Sequence, residues 1–219
     1  MNYGKFQEVA DYVQSCLSAD DFAHTDRVFG YALQLLNAEK NADTDIVLLG
    51  ALLHDIGRSN GRIKDHHKIG SKKSREYLTE KGYSAEIAGS VAECVLAHSS
   101  DAETEPQTLE AKILFDADKL DMTGAVGIVR TIAECVKEKM PLCVLDENFI
   151  PLKGKKDEPE SLLKRYKQEL KKPSIVFFTK KAKKIAGKNQ KAAGEYFKAL
   201  VKELDSSHKT RKLLHKKMT

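Results

Sequence analysis

A chain of 219 residues, 41% hydrophobic and 32% charged, holds enough apolar material for one ordinary domain. Its net charge of +5 is uneven: residues 153–219 carry 21 Lys and Arg against 7 Asp and Glu, which leaves residues 1–152 at −9. No aromatic residues alternate with those lysines as a single-strand platform requires, so the basic end reads as a solvated helix surface and nucleic acid is not expected as a partner.

The chain opens on "MNYGKFQEVADYVQSCLSAD", an amphipathic helical pattern with Phe6, Val9, Ala10, Val13 and Leu17 on one stripe. Charges are interspersed through it, so no secretory leader is read there and the expected location is cytoplasmic. A second helix starts near Asp21. "ADTDIVLLGALLHDIG" forms a third, with Asp or Thr as its N-cap and Gly57 as a C′ residue. Its run from Ile46 to Leu53 is the longest apolar stretch and falls far short of the roughly 20 residues that span a bilayer. Helices over 66–81 and 84–98 follow, parted at Gly82. "QTLEAKILFDADKLDM" and "GAVGIVRTIAECVKEKM" extend helical periodicity to Pro141. A proline-bearing loop with a short hairpin near 143–150 leads into helical segments at Glu160–Leu170 and Ser174–Leu204. The fold class is all-α. Four cysteines without a C-x-x-C pair read as reduced thiols.

Within the apolar third helix, His54 and Asp55 form an adjacent titratable pair that burial penalises unless it is partnered. His24 lies in the second helix and Asp118 in the acidic end of "ILFDADKLDM". Two imidazoles and two carboxylates from three helices make an N₂O₂ set suited to Mn, Fe, Co, Ni or Zn, with positions left for water and substrate. Asp116 competes with Asp118 for that role, although a spacing of two places them on opposed helix faces.

These residues, in the order His, His-Asp, Asp, resemble the signature of the HD-domain superfamily of metal-dependent phosphohydrolases. "AHTDRV", "ALLHDIGR", "HHKIG", "VLAHSS" and "DADKLDMTGAVGIVR" are similar to a branch of nucleotide-acting HD hydrolases, and "SIVFFTKKAKKIAGKNQKAAGEYFKALVKEL" is similar to that branch's C-terminal helices. The resemblance implies an HD-type helical bundle over residues 1–152, with a basic helical segment, 153–219, packed on the same domain. It implies a divalent ion (Mn favoured, with Mg, Co, Ni, Fe and Zn as options) on His24, His54, Asp55 and Asp118. The "A-D-K" register favours Asp118 over Asp116. Two positions depart from the branch: Asp20–Asp21 stands where His-Asp is common, and "KRYKQEL" where His-Phe is common.

A divalent ion acidifies water and clamps a phosphoryl oxygen, and cations nearby stabilise the charge that spreads over the transition state. Arg27, Arg58 and Lys119 are the candidate phosphate contacts. Asp55 and Asp121 are the candidate catalytic carboxylates. Asp121 has three open roles: orienting or protonating a reacting group, contacting a ribose hydroxyl, or hydrogen-bonding a nearby lysine. His66 and His98 are read as substrate contacts, or as ligands of a second ion of the kind some HD enzymes hold. The expected activity is hydrolysis of a phosphoester or phosphoanhydride in a nucleotide, such as pyrophosphate release from a nucleoside triphosphate. The alternatives are a non-catalytic phosphate or nucleotide sensor and a dinuclear-metal oxygenase of the same superfamily. The expected partner is a small phosphorylated molecule, with no membrane and room for a homodimer.

Overall fold

Several helices begin where the sequence supplies a hydroxyl or carboxylate to accept otherwise unpaired N–H groups. The computed structural model describes residues 4–59, 64–99, 102–147, 150–170 and 176–218, with the backbone alone at 169–170 and 210–218. Helix α1 spans Gln7–Cys16 and α2 spans Ala19–Leu36, where the Ser18 hydroxyl accepts from Asp21 N at 3.2 Å. Helix α3, Thr44–Leu53, is capped by Asp43, which accepts from Asp45 N at 2.9 Å and Ile46 N at 3.2 Å. Ser84 caps α5 (Ala85–Ala97) and Thr108 caps α6 (Leu109–Leu120) in the same way. Helix α4, His66–Glu80, lies between α3 and α5 in sequence.

The chain divides into two units, Met1–Asp121 with Phe177–Lys183, and Met122–Val176 with Lys184–Thr219. In the first, α3 is central and packs against α1, α2, α5 and α6. Residues 47–53 are all buried, which is why this helix is apolar on every side rather than striped. Helix α4 packs along α5 and against a 3₁₀ turn at Ile56–Arg58.

That turn corrects the expected end of the third helix. The α-helix stops at Leu53, His54 is its C-cap, and Asp55 has already left helical geometry with φ −101° and ψ 10°. Gly57 is not a left-handed C′ residue. Its role is proximity: a Cβ there would collide with the His66 carbonyl and lie 2.8 Å from Gly70 N. Leaving the helix at His54 changes the direction of the following side chains, so His54 and Asp55 need not diverge as helix neighbours would.

The second unit holds α7 (Gly124–Lys137), α8 (Leu162–Arg165) continued by a π-helical turn at Tyr166–Leu170, and most of α9 (Lys180–Met218). Ile128, Leu163, Tyr166, Ala193 and Phe197 form its core. The expected continuation of α6 into α7 is broken at Asp121–Thr123, and Gly124 turns the chain with φ +66°, a conformation that glycine adopts without strain. The expected hairpin reduces, among the described residues, to one antiparallel bridge between Leu145 and Pro151. Ser174, the expected start of the last segment, lies outside the described residues. No described helix is long and apolar enough to cross a membrane, and the cysteines are free thiols.

Candidate metal centre

Three local structures deliver the site. Helix α2 carries His24 and Arg27 on one face, the C-terminal end of α3 delivers His54 and Asp55, and the last turn of α6 delivers Asp118, Lys119 and Asp121. His24, His54, Asp55, Asp118 and Asp121 are all buried in the first unit.

Both imidazoles have a fixed hydrogen-bond direction. His54 Nδ1 is 2.9 Å from the Ala51 carbonyl, which can only accept, so Nδ1 carries the proton and Nε2 offers a lone pair. Burial pulls the His54 pKa down to about 4, so the ring is neutral near pH 7. His24 Nδ1 is 2.8 Å from Asp121 Oδ2, again an acceptor, so Nδ1 carries a proton and a neutral ring turns its Nε2 lone pair the other way. The two Nε2 atoms face each other at 3.2 Å. Asp118 Oδ1 lies 3.2 Å from His24 Nε2, while Asp55 Oδ2 lies 3.7 Å from His24 Nε2 and 3.6 Å from His54 Nε2.

Burial would raise both carboxyls, but the groups that face them win. The imidazoles of His54 and His98 and the Arg58 guanidinium hold Asp55 well below the usual carboxylate range. Lys119 and His24 do the same for Asp118. Four electron-pair donors, two of them anionic, thus converge in a buried space, and His24, His54 and Asp55 offer ligand atoms mutually close enough for one ion. The donor set fits a divalent cation of the borderline kind.

Asp116 faces elsewhere. Its buried carboxylate accepts from Phe178 N at 2.9 Å and Thr179 N at 2.7 Å, securing the segment that leads into α9. Burial raises its pKa, and those two N–H groups oppose the rise.

Asp121 is fully buried and engages His24 and Arg27: Arg27 Nε donates to Oδ1 at 2.6 Å and Nη2 donates to Oδ2 at 3.0 Å. Lys119 Nζ donates to Asp118 Oδ2 at 2.7 Å and sits 5.1 Å from the Phe115 ring centroid. Arg58 Nε donates to Asp55 Oδ1 at 2.7 Å and Nη2 reaches His66 Nε2 at 3.1 Å. His66 and His98 each place Nε2 3.6 Å from Asp55 Oδ1, giving a second group of potential ligands on the other oxygen of Asp55. All the sequence-predicted site residues therefore lie in one cluster.

Two features are not read from sequence. One is the orientation of His24 by Asp121. The other is the pair of carbonyls that fix His54 and His98, Ala51 and Val95, the latter 2.6 Å from His98 Nδ1. The second had a local signal: "ALLH" and "VLAH" each end an apolar helix on a histidine three residues after the accepting carbonyl.

Residues 21–123 match the family model described as HD domain. The chain is 32% identical over 132 residues to the uncharacterized protein YpgQ of Bacillus subtilis, covering 57% of this chain and 63% of that one. It is 31% identical over 118 residues to the uncharacterized protein MJ0778 of Methanocaldococcus jannaschii, covering 49% and 64%. The matched stretches thus span less than two thirds of either relative. The crystal structure of YpgQ in complex with ADP superposes with a TM-score of 0.71 at 25% identity, over 90% of this chain and 93% of that one. An HD-superfamily hydrolase from Bacillus thuringiensis does so with a TM-score of 0.69 at 26% identity, over 92% and 97%. The all-α fold is that of the HD-superfamily hydrolases.

Proposed function

We propose that this chain, a member of the HD superfamily by its HD domain, is a divalent-metal-dependent phosphohydrolase acting on a nucleotide, with His24, His54, Asp55 and Asp118 holding the ion. The observation that carries this reading is the approach of His24 Nε2, His54 Nε2 and Asp118 Oδ1, at 3.2 Å contacts, beside Asp55 Oδ2. Lone pairs facing one another at that distance repel unless a cation lies among them, and burial removes the water that would otherwise screen them.

A divalent ion held there supplies Lewis acidity toward a phosphoryl oxygen and lowers the pKa of water. The chain supplies the rest. Lys119 and Arg27 bring positive charge next to the proposed ligands, with Arg27 still 35% exposed at its side chain and so able to meet a phosphate from outside. Such charge stabilises the developing negative charge of phosphoryl transfer. Asp121 has no exposed surface, which argues against its touching substrate. It is a positioning residue that holds the Nδ1 proton of His24 and thereby aims Nε2. Asp55 serves as ligand rather than proton carrier, because both of its oxygens face cation or imidazole partners. YpgQ, whose structure holds ADP, supports a nucleotide over other phosphorylated molecules.

The test is release of phosphate and pyrophosphate from nucleoside mono-, di- and triphosphates with Mn²⁺, Mg²⁺, Co²⁺ or Ni²⁺. Turnover of at least one nucleotide is expected. Silence across the panel, with metal demonstrably bound, would overturn the hydrolase reading.

A further inference from the structure

We propose that the Arg58 guanidinium fills the cation position of the Asp55–His66–His98 group, so that this chain takes one divalent ion where its donors would otherwise suit two. The inference rests on the first ion being held as described above.

Asp55 has two oxygens with different surroundings. Oδ2 faces His24 and His54, at 3.7 and 3.6 Å. Oδ1 faces His66 and His98, both at 3.6 Å. His98 Nδ1 donates to the Val95 carbonyl, so a neutral ring turns the Nε2 lone pair toward Asp55. This second group has the composition of a metal site.

Arg58 already stands there. Nε is 2.7 Å from Asp55 Oδ1 and Nη2 is 3.1 Å from His66 Nε2, so one planar cation satisfies two of the three donors. Its position follows from the chain path. Arg58 is three residues after Asp55 and its N–H bonds the Asp55 carbonyl at 2.8 Å, a 3₁₀ turn in which side chains at i and i+3 eclipse. The helix break after Leu53 therefore aims the guanidinium at the carboxylate. Arginine does not give up its proton in proteins. A divalent ion entering beside it must either expel the guanidinium or meet its full charge. Arg58 thus divides the cluster between one metal position and one permanent organic cation, and it disfavours reactions that need two metals, the oxygenase alternative among them.

The test is Mn²⁺ binding by the metal-stripped 219-residue chain, followed by equilibrium dialysis and electron paramagnetic resonance. Wild type is expected to bind one equivalent and show isolated Mn²⁺. Arg58→Ala and Arg58→Gln, with helical circular dichroism retained, are expected to approach two equivalents and show exchange coupling. Adding His98→Ala to Arg58→Ala is expected to return the count to one, whereas His98→Ala alone leaves the wild-type count unchanged. Two equivalents in wild type, or one in both folded Arg58 variants, would overturn the proposal. Two equivalents in wild type overturn it even where the variants fail to fold. A wild type that binds no Mn²⁺ at all would sink the metal-site reading beneath it as well.

Discussion

Asp121, fully buried, holds His24 Nδ1 at 2.8 Å from its Oδ2. Its second oxygen takes Arg27 Nε at 2.6 Å, so one carboxylate both orients the imidazole and balances a guanidinium. A partner of this kind fixes the tautomer of a ligating histidine and raises its basicity.

Removing the Asp121 carboxylate should therefore act through His24. Asp121→Ala is expected to weaken Mn²⁺ binding by about 10- to 100-fold, the usual scale for loss of such a partner. A purely structural role would not alter the His24 tautomer, so ¹⁵N resonances of the ring are the discriminating readout. Wild type should show protonated Nδ1, and the variant a mixture. Unchanged metal affinity and tautomer would remove Asp121 from the site.

Asp116 should behave as a fold residue. Asp116→Ala takes the acceptor away from Phe178 N and Thr179 N and is expected to cost about 1–3 kcal/mol in urea unfolding, the penalty for orphaned buried donors. Metal content in the folded fraction should stay at the wild-type level. Metal loss with stability intact would exchange the roles of Asp116 and Asp118.

Gly57→Ala tests the turn that brings His54 and Asp55 together. The added methyl meets backbone, the His66 carbonyl and Gly70 N, rather than a movable side chain. A loss of about 2 kcal/mol or more is expected, at the upper part of the range for overpacking. A neutral or stabilising result would show that the turn and α4 are free to separate.

Acid should destabilise the metal-free protein well above the usual carboxylate range. Burial holds His54 at a pKa of about 4, and burial together with Arg58 does the same to His66. Between about pH 6.5, where free histidine titrates, and pH 4, the unfolded chain binds protons that the folded chain refuses, so stability falls as pH falls. Asp55 and Asp118, held low, lose their contribution only at more acidic pH, while the raised Asp116 opposes the trend slightly. Melting in a chelator should be level from pH 8 to 7 and decline steadily to pH 4.5. A level or rising profile over the lower interval would contradict the burial of these rings.

The helices were legible because their signals are local. Apolar periodicity and the caps Ser18, Asp43, Ser84 and Thr108 act within a few residues of the structure they fix. The grouping of His24, His54, Asp55 and Asp118 was legible for another reason: their order, His, His-Asp, Asp, follows the signature of the HD-domain superfamily that the chain resembles. Pairings across long stretches of chain were not. Asp121 meets Arg27 over 94 residues, and Asp116 meets Thr179 over 63, with nothing in either spacing to announce it. The break after Leu53 was also hidden, because "IVLLGALLHDIG" has uniform helical character and the cause of the turn, the close approach of Gly57 to α4, is tertiary. The carboxylates that Arg27 and Arg58 face, Asp121 and Asp55, were not legible either, because a sequence shows charge but not the partner already opposite it.

The most direct measurement is nucleotide hydrolysis as a function of added Mn²⁺ in wild type, Asp118→Ala and Asp116→Ala, with bound metal determined on the same samples. Wild type should gain activity in step with metal occupancy. Asp118→Ala should lose both, by at least about 100-fold in kcat/KM, or about 2.7 kcal/mol of transition-state stabilisation. Asp116→Ala, once corrected for its folded fraction, should lose neither. Hydrolysis that survives in Asp118→Ala, or that proceeds in wild type after complete removal of metal, would contradict the account.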